Sequence, residues 1–278
     1  APTSDLGDAP DSSNRYEARM TAYPPGGPLG VPANYPTVYY WGSPPYGPIH
    51  WYPRDVAYLG NSVSLENEAD YGPDQDWVNN LIPAIYTNDQ LVTIDQPDLD
   101  GSDDGVIFPL ILPRCTKSSF QYIVTVVSPE TSLYVNAWFD WNRDGDWDDT
   151  FECREGLAPE WAVQDQVLRF AAKGRYTVSS DSFLPWYPSG IETAPLWMRI
   201  TLSEQPWQPS GQEGGGGSGP AEGYRIGETE DYYFRPEIET RDWGDAPDVP
   251  DYPSYPTLAA SSGANHVVVP GMFLGASI

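Results

Sequence analysis

Leu133-Tyr134-Val135-Asn136-Ala137-Trp138-Phe139 alternates strictly, with Leu133, Val135, Ala137 and Phe139 on one side and Tyr134, Asn136 and Trp138 on the other. A period of two places successive side chains on opposite faces of an extended chain, so this stretch predicts a strand with one face on a core. Other segments carry the same message. Val106 to Leu112 is a continuous apolar run, and Phe120 to Val127 is rich in β-branched and aromatic residues. Ala162 to Phe170, Leu196 to Leu202 and Asp231 to Phe234 complete a set of short strands separated by Pro, Gly, Asn and Asp. That spacing predicts an all-β fold, an antiparallel β-sandwich. No segment shows a long helical period, and 30 prolines oppose one.

Composition narrows the function. The chain has 278 residues, 40% hydrophobic and 14% aromatic, enough for a sizeable core despite 40 acids against 14 bases. A net charge of −26 repels nucleic acid and anionic membrane surfaces and attracts metal cations. No apolar run is long enough to span a membrane. The first residues, Ala1-Pro2-Thr3-Ser4, do not form an export signal, so secretion implies that one has been removed. The two cysteines, Cys115 and Cys153, suit an oxidising compartment. Paired, they close a loop of roughly 39 residues, a constraint of about 4 kcal/mol in the chain-entropy picture. Two free thiols are the alternative. The expected location is extracellular or at the cell surface.

An internal repeat organises the chain. Asp5-Leu6-Gly7-Asp8-Ala9-Pro10-Asp11 recurs as Asp242-Trp243-Gly244-Asp245-Ala246-Pro247-Asp248. Tyr35-Pro36-Thr37 recurs as Tyr255-Pro256-Thr257, His50 as His266, and Leu59-Gly60-Asn61-Ser62-Val63 as Leu274-Gly275-Ala276-Ser277-Ile278. The first copy carries a Pro-rich insertion around Tyr23 to Pro32. Three regions are expected: an irregular acidic segment over 1–105, a sandwich over 106–236, and over 237–278 the start of a second repeat unit or an interchain docking segment. Gly214 to Gly219 reads as a flexible linker between the last two strands.

The chemistry-bearing stretch follows the opening strand directly: Asp140-Trp141-Asn142-Arg143-Asp144-Gly145-Asp146-Trp147-Asp148-Asp149. Oxygen ligands at positions one, three and five of a tight turn, then glycine at six, suit a hard cation such as Ca2+. Asp140, Asn142, Asp144, Asp146, Asp148, Asp149 and Glu152 are therefore candidate ligands. This is not an EF-hand, because its twelfth position is Phe151 and a strand leads in. The competing reading is a solvated acidic hairpin tip. A second site could form from Asp98, Asp100, Asp103 and Asp104, and a third cluster is Glu66, Glu68, Asp70, Asp74 and Asp76; solvated turns are equally good readings of both. His50 and His266 are better read as hydrogen-bonding residues than as ligands of a transition metal.

Sequence offers little for catalysis. There is no nucleophile elbow, zinc-protease helix, phosphate loop or dinucleotide fingerprint, so no enzyme is expected. Eleven tryptophans and nineteen tyrosines raise a carbohydrate-binding alternative through Trp41, Trp51, Trp186, Tyr187 and Trp207, although core packing explains aromatics better.

Asn136 to Trp147, the strand Trp197-Met198-Arg199-Ile200 and the closing Gly227-Glu228-Thr229-Glu230-Asp231-Tyr232 together resemble the GEVED domain, with threonine where the naming motif has valine. The resemblance covers roughly 106–236, and the Gly-Asp-Ala-Pro-Asp, Tyr-Pro-Thr and Leu-Gly landmarks resemble the segment that often precedes such domains in tandem arrays. It implies a β-sandwich module of large bacterial or archaeal surface or secreted proteins, without a defined activity. Alternation would set Glu228 and Glu230 on one face of the last strand and Asp231 on the other, within reach of a cation or a basic partner. The expected role is a non-catalytic, calcium-stabilised structural repeat, assembling into a fibre or array with copies of itself or neighbouring repeats through residues after 237. A cell-surface glycan is the alternative partner.

Overall fold

The computed structural model describes residues 3–11, 21–26, 29–39, 44–65, 69, 102–129, 132–211, 214–238, 241–244, 246, 255–257 and 263–267. Those residues are all β and irregular structure, with no helix among them. Two antiparallel sheets make the sandwich. One has four strands in the order β12 (Glu228–Phe234), β11 (Leu196–Ser203), β6 (Leu133–Phe139) and β9 (Trp161–Leu168). The other has β10 (Gly174–Ser179), β5 (Gln121–Val126) and β4 (Ala57–Leu59). The expected fold class is thus the observed one. β4 comes from the region read as irregular, yet pairs Ala57 with Val126 and Leu59 with Val124 at the edge of the smaller sheet.

Alternation in β6 works as its sequence dictates. Leu133, Val135, Ala137 and Phe139 join Tyr122, Val124 and Val126 of β5 and Leu196, Met198, Ile200 and Leu202 of β11 in one buried cluster between the sheets. β11 is buried at every residue, so it cannot show a polar face. Its other side, Trp197, Arg199 and Thr201, looks outward from the sandwich and is covered by a third layer. That layer is the N-terminal segment. Ala9, Ala22, Ala33 and Tyr35 pack with Trp138, Trp147, Trp197 and Trp207 in a second buried cluster. Within this layer β1 (Thr21–Tyr23) lies between β2 (Pro25–Gly26) and β3 (Val31–Pro32).

Val106 to Leu112 departs from expectation. It forms isolated bridges, Val106 with Tyr122 and Ile111 with Glu237, instead of a ladder strand. Pro109 has no N–H to donate and interrupts it. The short hairpin of β7 (Thr150–Cys153) and β8 (Gly156–Pro159) is an element its few apolar residues did not announce. Cys115 and Cys153 form the disulfide, tying this hairpin to the chain ahead of β5. The glycine run also differs from a free linker. Gly215, Gly216 and Gly217 are buried, and a Cβ at Gly216 or Gly217 would collide with Trp147. Glycine there permits close packing, not freedom.

Candidate metal centre

Asp140 follows β6 immediately, and its backbone N–H still donates to the Trp197 carbonyl at 3.0 Å, so the sheet sets where the loop begins. Two tryptophans then pin the loop on opposite layers. Trp141 stacks on Phe139 with ring centroids 4.5 Å apart inside the sandwich core. Trp147 sits 4.2 Å from the Tyr35 ring and 4.8 Å from the Arg199 guanidinium carbon in the outer cluster. Between them Arg143 and Gly145 take left-handed backbone angles, φ 62° and 95°. Arg143 is itself buried, donating to the Trp141 and Ala194 carbonyls at 2.7 Å each. A Cβ at Gly145 would overlap the Pro32 carbonyl, so this glycine lets the loop meet the N-terminal segment.

Carboxylate oxygens of Asp140, Asp144 and Glu160 lie within 4.8 Å of one another, a grouping that could hold a metal ion. Asp140 and Glu160 are fully buried, whereas Asp144 is exposed and closes the outside. Asp140 accepts from Tyr35 Oη at 2.5 Å, the Gly145 N–H at 2.9 Å and the Asp144 N–H at 3.2 Å. Glu160 accepts from the N–H groups of Trp141 and Asp149 at 2.9 and 3.0 Å. Asn142 places its amide nitrogen 2.7 Å from Asp144 and 2.6 Å from Asp149, so those two acids share one neutral donor.

Charge is crowded here. Burial pushes the Asp140 carboxyl up to about 7; the neighbouring Asp144 charge adds to the rise, and the Tyr35 and Gly145 hydrogen bonds oppose it. Burial and the Asp140 charge hold Glu160 well above the ordinary glutamate range. Asp146 rises to about 6 through burial, and Asp149 rises through burial and Asp144. Like charges held together away from water favour protonation or a cation. All first contacts on offer are oxygens, the preference of a hard divalent ion.

The other expected ligands have various fates. Asp146 accepts from the Asp148 N–H at 3.1 Å. Asp148 turns away to the glycine run, accepting from Gly215 at 3.1 Å and Gly216 at 2.7 Å as well as from Gly214. It is an anchor for that loop. Glu152 is exposed on β7, outside the three-carboxylate group. Glu160 was absent from the sequence reading because no spacing rule connects it to Asp140; the intervening hairpin returns it to the start of β9. Asp98 and Asp100 lie outside the described residues, as do Glu66, Glu68, Asp70, Asp74 and Asp76. Asp103 accepts from the Asp231 N–H at 3.4 Å, and Asp104 accepts from the Asn61 backbone and amide nitrogens at 2.6 and 2.7 Å.

Closing-motif carboxylates are fasteners. On the inner face Glu228 accepts from the Leu59 N–H at 2.7 Å, and Glu230 accepts from Asp104 and Gly105 N–H groups and from the Tyr232 hydroxyl. On the outer face Asp231 grips Arg199 through two oxygens at 2.7 and 2.6 Å and takes the Ala9 N–H at 2.7 Å. Its basic partner is thus within the chain. Thr229 lies between Thr201 Oγ1 at 3.0 Å and His50 Nε2 at 2.9 Å, contacts a valine could not make. His50, also against the Ile226 carbonyl, is driven down to about 3 by burial, as befits a neutral hydrogen-bonding ring. The aromatic residues are similarly engaged. Trp207 is buried against Trp138 and Trp161, and Trp186 stacks on Phe151 at 3.9 Å with the Arg114 guanidinium over its ring. Tyr187 is buried edge-on to Trp141, Trp51 is bound through Nε1 to the Glu222 carbonyl, and Trp41 lies outside the described residues.

A two-sheet sandwich whose last strand carries fastening acids is the class of module these features define. Residues 134–235 match the GEVED domain family, in agreement with the resemblance drawn from the motifs. No curated protein matches the chain. Among solved structures, a DUF4466 family protein from Parabacteroides merdae is similar at 12% identity, over 59% of this chain and 52% of that one. The chain thus spans about half of that protein's length, and a TM-score of 0.20 gives the likeness no weight in the argument. Among the described residues no helix is long and apolar enough to cross a membrane.

Proposed function

We propose that this chain is a non-catalytic structural module of a secreted or cell-surface repeat protein, stabilised by one calcium ion in the Asp140 loop. The observation that carries the reading is the convergence of Asp140 and Asp144, in a loop locked on both sides by buried tryptophans, with Glu160 immediately before β9. Asp140 also holds the Tyr35 hydroxyl, so the loop that would bind the ion is the loop that clasps the N-terminal layer. An ion there would relieve the charge crowding and stiffen the seam between sandwich and outer layer. The disulfide and the acidic surface suit an extracellular setting. Repetition of the N-terminal landmarks after residue 241 supports a place in an array of such modules.

Thermal unfolding with calcium and with chelator is the test. Ligand at about 100 times its dissociation constant adds about 2.7 kcal/mol to a folded state that alone binds it. Chelation is expected to lower the melting temperature, and Asp144→Ala to abolish most of that response. Identical melting curves with and without calcium would contradict the reading.

A further inference from the structure

Two pairings of the first copy of the landmarks recur among the described residues of the second. In the first, Asp5 and His50 exchange backbone hydrogen bonds at 3.0 and 2.8 Å. In the second, β13 (Arg241–Trp243) pairs with β14 (Asn265–Val267) so that Asp242 stands opposite His266. Gly47 lies so close to Thr37 that a Cβ would overlap the threonine backbone, and Gly263 lies in the same way against Thr257. Each glycine is three residues ahead of its histidine.

Surroundings of the two units differ. The first is seated on the outer face of the four-stranded sheet, with Tyr35, Thr37 and His50 fully buried. In the second, Tyr255 is 68% exposed and His266 is exposed. The residues that recur are those with which the first unit grips the sheet. Asp5 accepts from the Thr229 N–H, Ala9 donates to Asp231, and the Tyr35 hydroxyl donates to Asp140. The Pro36 carbonyl and the Thr37 hydroxyl accept from Arg199, and His50 contacts Thr229 and Ile226. Their counterparts are Asp242, Ala246, Tyr255, Pro256, Thr257 and His266, each the same residue type. Within the second unit Ala246 already accepts from the Thr257 hydroxyl at 2.8 Å, whereas the Tyr255 ring stands mostly exposed.

We infer that residues 241–267 are a second docking unit, whose seat is the outer sheet face of another module bearing the same Arg–Asp fork and metal-loop aspartate. This rests on the repeat-module reading above and names the partner surface. This chain's own sheet is not the seat, because the first unit already covers it. Docking is face-on, through the arginine and the loop, not by adding a strand to a sheet edge.

A chain with its own face loosened supplies the probe. Asp5→Ala, Tyr35→Ala, Thr37→Val and His50→Ala together remove the first unit's side-chain contacts to Thr229, Asp140, Arg199 and Ile226, while the residues of the seat itself, Arg199, Asp231 and the Asp140 loop, are unchanged. Light scattering then reads the mass of this full-length variant across a concentration series, with and without Tyr255→Ala and His266→Ala. The expected result is a rise toward two chains that the second pair of substitutions abolishes. A monomer throughout, or association indifferent to Tyr255 and His266, overturns the proposal. Should the loosened chain fail to fold, the wild-type chain is compared with the full-length Tyr255→Ala/His266→Ala chain across a concentration series while a protease reports release of the first unit. Cleavage that quickens with concentration in the wild type alone is expected; equal concentration dependence in the two chains overturns the proposal. Calcium-dependent melting of the wild-type and Tyr255→Ala/His266→Ala chains separates the two ideas, since it tests the Asp140 loop and is expected to be unaffected at Tyr255 and His266.

Discussion

Arg199→Met is the perturbation that most sharply weighs what holds the N-terminal layer to the sandwich. The guanidinium and its partner Asp231 are both 0% exposed and are 2.6 Å apart. Arg199 also donates to the carbonyls of Pro36 and Gly217 and to the Thr37 hydroxyl, so one side chain joins a strand, the glycine run and the outer segment. Methionine fills much of the volume but leaves Asp231 as an uncompensated buried charge, which costs about 3–5 kcal/mol. Each orphaned carbonyl adds about 1–3 kcal/mol if water cannot reach it. We expect a loss of about 4 kcal/mol or more in urea unfolding, a fall of roughly 10 °C in melting temperature, and faster proteolysis ahead of β4. Arg199→Lys should rescue little, because an ammonium cannot reproduce the two-pronged contact. Arg199→Met combined with Asp231→Leu should recover part of the loss, since replacing a buried pair costs less than breaking it. A single-mutant cost below about 1 kcal/mol would refute the claim that this pair fastens the layer.

Three further outcomes follow from named contacts. Tyr35→Phe removes the hydroxyl bonded to Asp140 and should cost about 1.5–3 kcal/mol in denaturant unfolding; an unchanged midpoint would show that the clasp contributes nothing. Gly227→Ala should destabilise by more than about 1 kcal/mol, because φ is 95° and the new Cβ would strike the Leu202 carbonyl; equal stability would refute the strain. Titration of stability against pH should show two opposing slopes. Burial raises Glu230 to about 8, so its contribution is complete below the ordinary glutamate range and is lost as pH rises toward 8; Glu230→Gln should flatten that decline. Burial lowers His50 to about 3, so its contribution is complete above 6.5 and is lost as pH falls toward 3; if His50→Gln leaves the acid limb unchanged, another group is responsible.

Much of the fold was legible in β6, β9, β11 and β12, because alternation and burial report a strand whenever its faces meet different surroundings. β11 was legible for another reason: a strand covered on both faces carries few charges, and Arg199 is the one charged residue among its eight. Elements built for reach rather than burial were not legible. β7 and β8 have exposed faces, and β4 is a three-residue edge fed from a Pro-rich segment. The candidate site divides in the same way. Asp140 and Asp144 were visible because local spacing in a tight turn brings them together. Glu160 was invisible because its nearness depends on the length of a hairpin, and Asp148 was misleading because a neighbouring glycine run claims its oxygens. The sequence reads the motif acids as contacts to a cation or a basic partner, and tertiary packing uses them within the chain; His50 is the hydrogen-bonding residue its sequence context suggests.

Calorimetric titration of calcium into the intact chain, set beside Asp140→Asn with Asp144→Ala, decides whether the Asp140 loop holds an ion. Saturable binding by the wild-type chain is expected, with one equivalent fewer in the double variant. Equal stoichiometry in the two proteins, or no calcium binding by the wild type, would contradict it.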